Sequence, residues 1–336
     1  MYGTAIGAFV CSINVGSLIA LCGGAILPPE HDEAALKASG MWRVIFGFPL
    51  PLYMIIAILL LTVIRDESPK FLLTQRKREE CLKVVQKIYH TDGDRAKANE
   101  ISDFVQSTIQ KQSTKVTYRE AFCSDERFTR GSWVNVINMM NHELTGFNVI
   151  LAYSNTILEE ILGTSTGGFS ARTGTYCIAV VNVFAAAGGI WTCRTVGRRT
   201  LLFWGHIGIA FSHFFVGLFT ITGFNSGVLG MISFFLVCYQ LTSGPVAWVY
   251  ATETCCDTGL SVSMQTLWGT VLVLQLVSEP LMHSALQSQG VFFLFSFFSV
   301  VAVFFVYFYI AESKGLSDRE KKALFIPGAK YGRKLR

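Results

Sequence analysis

Three polar side chains that could bind a small molecule lie within one apolar stretch of the sequence. His142, Glu143 and Asn148 occupy the middle of residues 131–157. A polar or ionisable group at the depth of a membrane is costly unless it faces a polar cavity or the interior of a helical bundle. A mostly apolar cavity with a few fixed amide and carboxylate groups holds a polar small molecule by hydrogen bonds. The residues therefore predict reversible binding, and they suggest neither covalent catalysis nor a nucleotide site.

Each of these side chains also has a structural interpretation. Asn148 could join two helices by a hydrogen bond within the lipid. Glu143 could accept a hydrogen bond from a ligand hydroxyl, carry a proton, or pair with His142. His206 and His213 lie seven residues apart on one helix face. Because no third ligand accompanies them, we expect these two histidines to be packing residues rather than a metal site.

Aromatic residues elsewhere in the chain could complete a binding site. Trp248 and Trp268 are the candidate aromatic planes, and Tyr239 lies about two and a half helical turns before Trp248. Gly244-Pro245 would interrupt that helix and free backbone groups beside the cavity. Packing in the bundle core is the alternative for each of the three aromatic side chains.

All of these residues belong to a chain organised by eight long apolar stretches. Each stretch is long enough to cross a hydrocarbon core of about 30 Å as a helix. Of the 28 Lys and Arg residues, 25 lie in the loop 65–130, the loop 194–199 or the tail 312–336. By the positive-inside rule, both termini and the long loop face the cytosol. The stretches are 4–27, 43–64, 131–157, 172–193, 200–224, 227–251, 259–283 and 288–311.

The loop 65–130 is too long to be a passive connection between packed helices. Ser68-Pro69 is typical of a helix start, and a second helix is predicted at 94–111. We expect two or three amphipathic helices on the cytosolic face, so that the chain has two membrane helices, a helical linker and six further membrane helices. The apolar residues at helical spacing in the linker are Leu72, Leu73, Leu82, Val85, Ile88 and Tyr89.

Five short motifs follow one another at the ends of the apolar stretches. They are Asp66-Glu67-Ser68-Pro69-Lys70-Phe71-Leu72, Leu144-Thr145-Gly146-Phe147-Asn148 with Tyr153-Ser154, Thr195-Val196-Gly197-Arg198-Arg199, Gly244-Pro245-Val246-Ala247-Trp248 with Glu253, and Ala311-Glu312-Ser313-Lys314-Gly315. In this order they resemble the signatures of the sugar porter (sugar/inositol transporter) family of the major facilitator superfamily. The chain is similar over essentially its whole length to helices 5 to 12 of a facilitative glucose-transporter-like protein.

The resemblance implies a fold and a set of functional residues. The fold is an all-α membrane protein, a partial major facilitator superfamily fold with eight transmembrane helices and a cytosolic helical loop. We expect substrate contact from His142, Glu143, Asn148, Tyr239, Trp248 and Trp268. We expect a gate or charge network of Glu67, Tyr153, Arg198, Arg199, Glu253 and Glu312. Ion pairs at helix ends can form in one conformation and break in another, whereas topology and snorkelling are the alternative for the arginines.

Several positions differ from the family pattern. His142 and Glu143 replace the family's two glutamines of that helix. Arg194 stands where the family has an acidic residue, and Ala247 replaces the second proline of its motif. Val10 occupies the position of a sugar-binding glutamine.

The predicted function is transport of a hexose or a related sugar or polyol by a sugar-porter-type carrier, of which this chain would be a fragment or a truncated form. The alternative is a non-transporting sugar-binding or regulatory membrane protein derived from such a carrier. The predicted domains are 1–65 with two helices from the end of an N-terminal bundle, 66–130 as the amphipathic linker, 131–311 as a six-helix C-terminal bundle, and 312–336 as a tail.

Composition limits the partners of the protein. Hydrophobic residues make up 51% of the chain and charged residues 15%, as expected for an integral, multi-pass membrane protein. The net charge of +5 lies beside membrane spans and does not indicate nucleic acid. We expect a lipid bilayer and a small sugar or polyol as partners, with no cofactor and no metal. The nine cysteines, including Cys255 and Cys256, are interpreted as reduced packing residues. The identity of the sugar, proton coupling and the choice between the plasma membrane and an internal membrane stay open.

Overall fold

The chain folds into helices that form two units. The computed structural model describes residues 2–24, 27–28, 33–89, 95–112, 116–162 and 171–326, and no strand occurs within these ranges. The larger unit combines Met1–Leu27 with Thr117–Arg336, and it includes the first helix, α1 (Tyr2–Gly24). The smaller unit is Pro28–Val116.

The smaller unit begins with an apolar helical segment and continues with three amphipathic helices. Residues 41–62 have a mean hydropathy of 2.5, and none of the side chains of this segment is buried. A helix that is apolar on all sides suits a lipid environment. The helices of this unit are α2 (Glu33–Ala38), α3 (Met41–Gly47), α4 (Pro49–Thr62), α5 (Pro69–Thr74), α6 (Arg78–Tyr89) and α7 (Arg95–Gln112).

The sequence predictions for the linker helices are largely confirmed. Ser68 caps α5 by accepting a hydrogen bond of 3.2 Å from the backbone N–H of Phe71, and Pro69 is the first helical residue. The helix predicted at 94–111 is α7. Leu72, Leu82 and Val85 are buried together with Cys81 and Ala98. Ile88 and Tyr89 lie in the same helix as predicted, and both side chains are more than half exposed at the end of α6.

The larger unit contains α1 and the helices of the second part of the chain. A π-helical turn, Glu120–Ser124, leads into α8. The remaining helices are α8 (Glu126–Glu143), α9 (Phe147–Ala152), α10 (Ser154–Leu162), α11 (Ala171–Thr195), α12 (Arg198–Thr222), α13 (Asn225–Leu241), α14 (Ser243–Thr254), α15 (Asp257–Met282), α16 (Gln287–Tyr309) and α17 (Asp318–Lys322).

Six segments among the described residues are long and apolar enough to cross a membrane. They are Met41–Thr62, Ala171–Thr195, Arg198–Thr222, Asn225–Thr254, Asp257–Met282 and Gln287–Tyr309. These segments confirm a multi-pass membrane protein. Of the other two predicted stretches, 4–27 corresponds to the single helix α1. The stretch 131–157 is divided among α8, α9 and α10.

The buried apolar residues of the larger unit form two separate clusters with polar residues between them. Along α12, Leu202 belongs to one cluster and Ile209 to the other, and the buried His206 lies between them. Along α11, Asn182 follows Ile178 of the first cluster and precedes Cys193 of the second. We call this set the polar layer. Its members are the buried residues Asn14, Asn141, His142, Glu143, Asn182, His206, Gln240 and Ser243, together with the half-buried Asn148.

A glycine allows the chain to break between α8 and α9. Gly146 adopts φ of 77°, in the left-handed region that side chains disfavour. A Cβ atom at this position would lie 2.7 Å from the ring of Phe295. Backbone conformation and packing therefore both require glycine here.

We predict that Gly146→Ala destabilises the protein by about 2 kcal/mol, because of left-handed backbone strain and the contact with Phe295. Gly269→Ala in the middle of α15 is the matched control, since a Cβ atom there meets nothing within 4 Å. Its expected effect is neutral or stabilising by about 0.5–1 kcal/mol. The measurement is unfolding of the purified protein in detergent, and equal midpoints for the two variants would contradict the assignment.

Candidate functional site

Glu143 and Asn148 lie on opposite sides of the break between α8 and α9. α8 ends at Glu143, and α9 begins at Phe147. The Asn148 Nδ2 atom donates a hydrogen bond of 2.6 Å to Glu143 Oε2. Glu143 is buried and Asn148 is half-buried. The break thus brings an amide and a carboxylate together at the polar layer.

Residue Gln275 of α15 binds the chain segment that follows the Glu143–Asn148 pair. Gln275 Nε2 donates a hydrogen bond of 3.1 Å to the backbone carbonyl of Asn148. The Tyr153 hydroxyl, just beyond α9, donates one of 3.0 Å to the backbone carbonyl of Gln275. Tyr153 therefore binds the same part of α15 as the Asn148 segment, and these contacts hold the broken helix against α15.

His142 joins the carboxylate to three aromatic rings. Its Nε2 atom lies 2.9 Å from the Tyr239 hydroxyl and 3.7 Å from Glu143 Oε1. The Tyr239 ring stacks on Phe147 with centroids 4.0 Å apart. The Trp248 ring stands edge-on to His142 at a centroid distance of 6.5 Å. Five residues from four helices thus form one continuous cluster.

Three buried amides form a second part of the polar layer. The Asn14 Oδ1 atom accepts hydrogen bonds of 2.6 Å from Asn182 Nδ2 and of 2.9 Å from Gln240 Nε2. Gln240 Nε2 also lies 2.8 Å from Asn182 Oδ1. This amide triad links α1, α11 and α13, and it neighbours the aromatic cluster because Gln240 follows Tyr239.

The second helix break lies beside the triad. The sequence predicts an interruption at Gly244-Pro245, and the structure places it at Thr242, between α13 and α14. Thr192 of α11 donates a hydrogen bond of 2.5 Å to the carbonyl of Leu241. Gly189 permits this close approach, because a Cβ atom there would lie 2.3 Å from the carbonyl oxygen of Gln240.

Several polar atoms of the layer are not used by these contacts. Within the described residues, no hydrogen-bond partner is found for five buried side-chain atoms of the layer. They are Asn141 Nδ2, His142 Nδ1, His206 Nδ1, Gln240 Oε1 and Ser243 Oγ. Buried polar groups are normally hydrogen-bonded. The layer therefore offers both donors and acceptors for a polar ligand.

A charge network lies at the end of the unit that contains α17. Glu253 is 8% exposed and accepts hydrogen bonds from three side chains. They are Arg198 Nη2 at 3.1 Å, Lys321 Nζ at 2.8 Å and Ser313 Oγ at 2.8 Å. The predicted pair of Arg198 and Glu253 is therefore in contact, and it connects α12, α14 and the tail.

Glu312 binds the start of α12. Its carboxylate accepts hydrogen bonds from the backbone N–H groups of Arg198 at 2.8 Å and Arg199 at 3.2 Å. A carboxylate is favourable at the N-terminus of a helix. The Arg199 side chain donates a hydrogen bond of 2.8 Å to the carbonyl of Tyr307. Glu67 belongs to the smaller unit, where its side chain is exposed.

The structure brings most of the predicted substrate residues together. It gathers His142, Glu143, Asn148, Tyr239 and Trp248 into one cluster. Trp268 is 62% exposed on α15. Sequence reasoning missed the members of the amide triad. The available signal was the presence of an amide within each of three apolar stretches, listed here as Asn14, Asn182 and Gln240.

The two histidines expected to be packing residues are both fully buried. His213 packs against the rings of Phe235, Phe292 and Phe295, with centroids 4.4–5.8 Å away. Its Nε2 atom lies 2.9 Å from the carbonyl oxygen of Thr145, in the loop that breaks the helix. His213 therefore supports the break between α8 and α9.

The chain is similar to known membrane carriers. A family model described as sugar (and other) transporter matches residues 2–325. Hexose transporter 1 of Plasmodium falciparum is 23% identical over 286 residues, which cover 82% of this chain and 55% of that protein. The major myo-inositol transporter IolT of Bacillus subtilis is 27% identical over 263 residues, which cover 75% of this chain and 53% of that protein. The chain thus spans little more than half the length of these two relatives.

A solved structure shows the fold. The proton:xylose symporter XylE of E. coli, bound to 6-bromo-6-deoxy-D-glucose, aligns with a TM-score of 0.75 at 20% identity. The alignment covers 96% of this chain and 67% of that chain. The fold is therefore a partial major facilitator superfamily fold.

We predict that Glu253→Ala destabilises the protein by about 3 kcal/mol or more, because it leaves Arg198 and Lys321 without their buried carboxylate. Asp103→Ala is the matched control, since its ion pair with Arg78 at 2.6 Å is largely exposed. Its cost should be about 0–1 kcal/mol. Unfolding in detergent measures both, and a Glu253→Ala cost no larger than that of the control would refute the buried network.

Proposed function

The chain belongs to the sugar (and other) transporter family, and on this basis we propose that it forms part of a carrier for a hexose or a related polyol. The single observation that carries the proposal is the polar layer between two apolar clusters. Substrate moves without covalent chemistry, so the carrier needs a site that binds and releases a polar molecule at membrane depth. Because the chain covers little more than half of its relatives, transport is proposed for the whole carrier.

The chemistry of the layer suits a sugar. A sugar presents hydroxyl groups at its edges and C–H groups on its faces, so that it needs amide or carboxylate partners beside an aromatic plane. Asn148 and Glu143 supply the amide and the carboxylate, and the half-buried Trp248 supplies the aromatic plane. Gln240 and Ser243 add an acceptor and a hydroxyl within the same layer. In this proposal the ligand hydroxyls replace hydrogen bonds that these groups now make with one another.

The charge network would bias the carrier between conformations. Glu253 joins α12, α14 and the tail through Arg198 and Lys321. Such contacts favour one state by a few kcal/mol only if they break in the other. We assign them to the cytosolic end, in agreement with the positive-inside rule. Arg199 and Glu312 belong to the same proposed set, and Trp268 remains a proposed substrate contact.

We predict that the purified chain binds a D-sugar saturably and that Asn148→Ala weakens the binding about threefold to tenfold, the value of one lost hydrogen bond. Asn155→Ala is the control, because this amide lies outside the polar layer and bonds to Glu159. The measurement is titration calorimetry with D-glucose, D-xylose and myo-inositol, with L-glucose as a stereochemical reference.

If none of these compounds gives saturable heat, or if the two asparagine variants behave alike, the proposed site is wrong. Binding without uptake by the full-length carrier would favour the non-transporting alternative.

We further predict that Trp248→Leu weakens sugar affinity about fivefold, since it removes about 1 kcal/mol of apolar contact with the sugar face. Trp204→Leu is the matched control, because this exposed ring packs edge-on against Phe203 of the same helix. Affinity is measured by the same titration. Equal affinities for the two tryptophan variants would exclude Trp248 from the site.

A further inference from the structure

Two adjacent cysteines lie between α14 and α15, outside the membrane-spanning helices and away from the polar layer. Cys256 is the N-cap of the 26-residue helix α15, and its Sγ atom accepts a hydrogen bond of 3.4 Å from the backbone N–H of Gly259. Cys256 is half-buried, whereas Cys255 is 1% exposed. The pair therefore combines one accessible sulfur with one enclosed sulfur.

Ser132 of α8 packs against both sulfurs. Its Oγ atom lies 3.7 Å from Cys256 Sγ and 4.0 Å from Cys255 Sγ. A Cβ atom on Gly259 would lie 2.4 Å from Ser132 Oγ and 2.6 Å from Cys255 Sγ. Only glycine at this position lets the hydroxyl and the two thiols approach so closely.

A shallow pocket with basic walls opens beside the accessible sulfur. Residues that line it are Arg127, Phe128, Thr254, Cys256, Lys322 and Phe325. Lys322 Nζ donates hydrogen bonds to the carbonyls of Thr252, at 3.1 Å, and Cys255. Arg127 pairs with Asp125 at 2.5 Å. The pocket is small, about 30 Å³. A disulfide that approaches Cys256 at its mouth meets cationic side chains from α8 and α17.

The surroundings shift the pKa values of the two thiols in opposite directions. The hydrogen bond from Cys255 is the main cause that lowers the pKa of Cys256 to about 6, against the opposing effect of burial. The Gly259 N–H, the Ser132 hydroxyl and the charge of Lys322 lower it further. The same hydrogen bond, together with burial, raises the pKa of Cys255. Other charged groups at this end of α15 are Arg127 with its partner Asp125 and the exposed Asp257. The pair therefore holds its proton on the buried sulfur.

We propose that Cys256 is a modification site that undergoes thiol–disulfide exchange with a small anionic disulfide such as oxidised glutathione. The Cys256 thiolate attacks one sulfur of the disulfide, a new S–S bond forms as the old one breaks, and the other half leaves as a thiolate that takes a proton from water. Lys322 and Arg127 attract the carboxylates of the disulfide. Because Cys255 stays buried and protonated, the product is a mixed disulfide that an excess of free thiol reverses.

The test uses the purified full chain with oxidised glutathione, followed by intact mass and peptide mapping across a pH series. We expect one glutathionyl adduct on Cys256, with a rate that is half-maximal near pH 6, as the pKa of this thiol requires. Cys256→Ser abolishes the adduct, and Cys123→Ser, at an exposed cysteine, leaves it unchanged. A reaction rate with its pH midpoint at about 8.5, the ordinary cysteine pKa, overturns the proposal. A Cys255–Cys256 disulfide as the product also overturns it.

Two further variants keep the cysteine and test its surroundings. Ser132→Ala should move the pH midpoint upward by about half a unit or more. Lys322→Met should lower the rate with oxidised glutathione, relative to neutral bis(2-hydroxyethyl) disulfide, by about threefold. This ratio cancels the thiolate fraction, so it reports attraction of the anion alone. Arg319→Met, at an exposed position of the same helix, should leave the ratio unchanged. An unchanged ratio in Lys322→Met, or an unchanged midpoint in Ser132→Ala, rules out the proposed pocket chemistry.

Discussion

In lipid, a buried polar group has no water to bind, so it must find its partner inside the protein. The larger unit is organised around this constraint. Its two apolar clusters leave a polar layer between them, and several groups of that layer bind one another. Asn14, Asn182 and Gln240 form a closed set of amide hydrogen bonds. Glu143 and Asn148 form a second pair across a helix break. The layer thus remains polar without exposing its groups to lipid.

Such a layer is well suited to exchange its partners. A hydrogen bond between neutral groups contributes only about 1 kcal/mol net, so that a ligand hydroxyl can replace one at small cost. The network at Glu253 differs, because its charges are buried and each partner left alone is expensive. The hydrogen bonds of the polar layer are therefore easily exchanged, whereas the contacts of the charge network at Glu253 are strong. In a carrier, the first would bind substrate and the second would favour one conformation.

The sequence predicts the helical membrane fold and much of the site, for a physical reason. His142, Glu143 and Asn148 stand out because polar groups are rare at membrane depth. The partners of Gln240 could not be predicted, because Asn14 is 226 residues away and only tertiary packing brings them together. The helix break at Gly146 is not predicted from the sequence, because glycine is common within membrane helices. The exposure of Trp268 depends on how α15 is rotated, which helical spacing alone does not determine.

The polar layer is the proposed ligand site. The most direct test is a crystal structure of the chain with a halogenated hexose, in which the anomalous signal locates the ligand. We expect the peak in the polar layer, with ligand hydroxyls within hydrogen-bond distance of Asn148 and Glu143 and the sugar face against Trp248. A peak outside the layer, with the Glu143–Asn148 hydrogen bond and the amide triad unchanged, would contradict it.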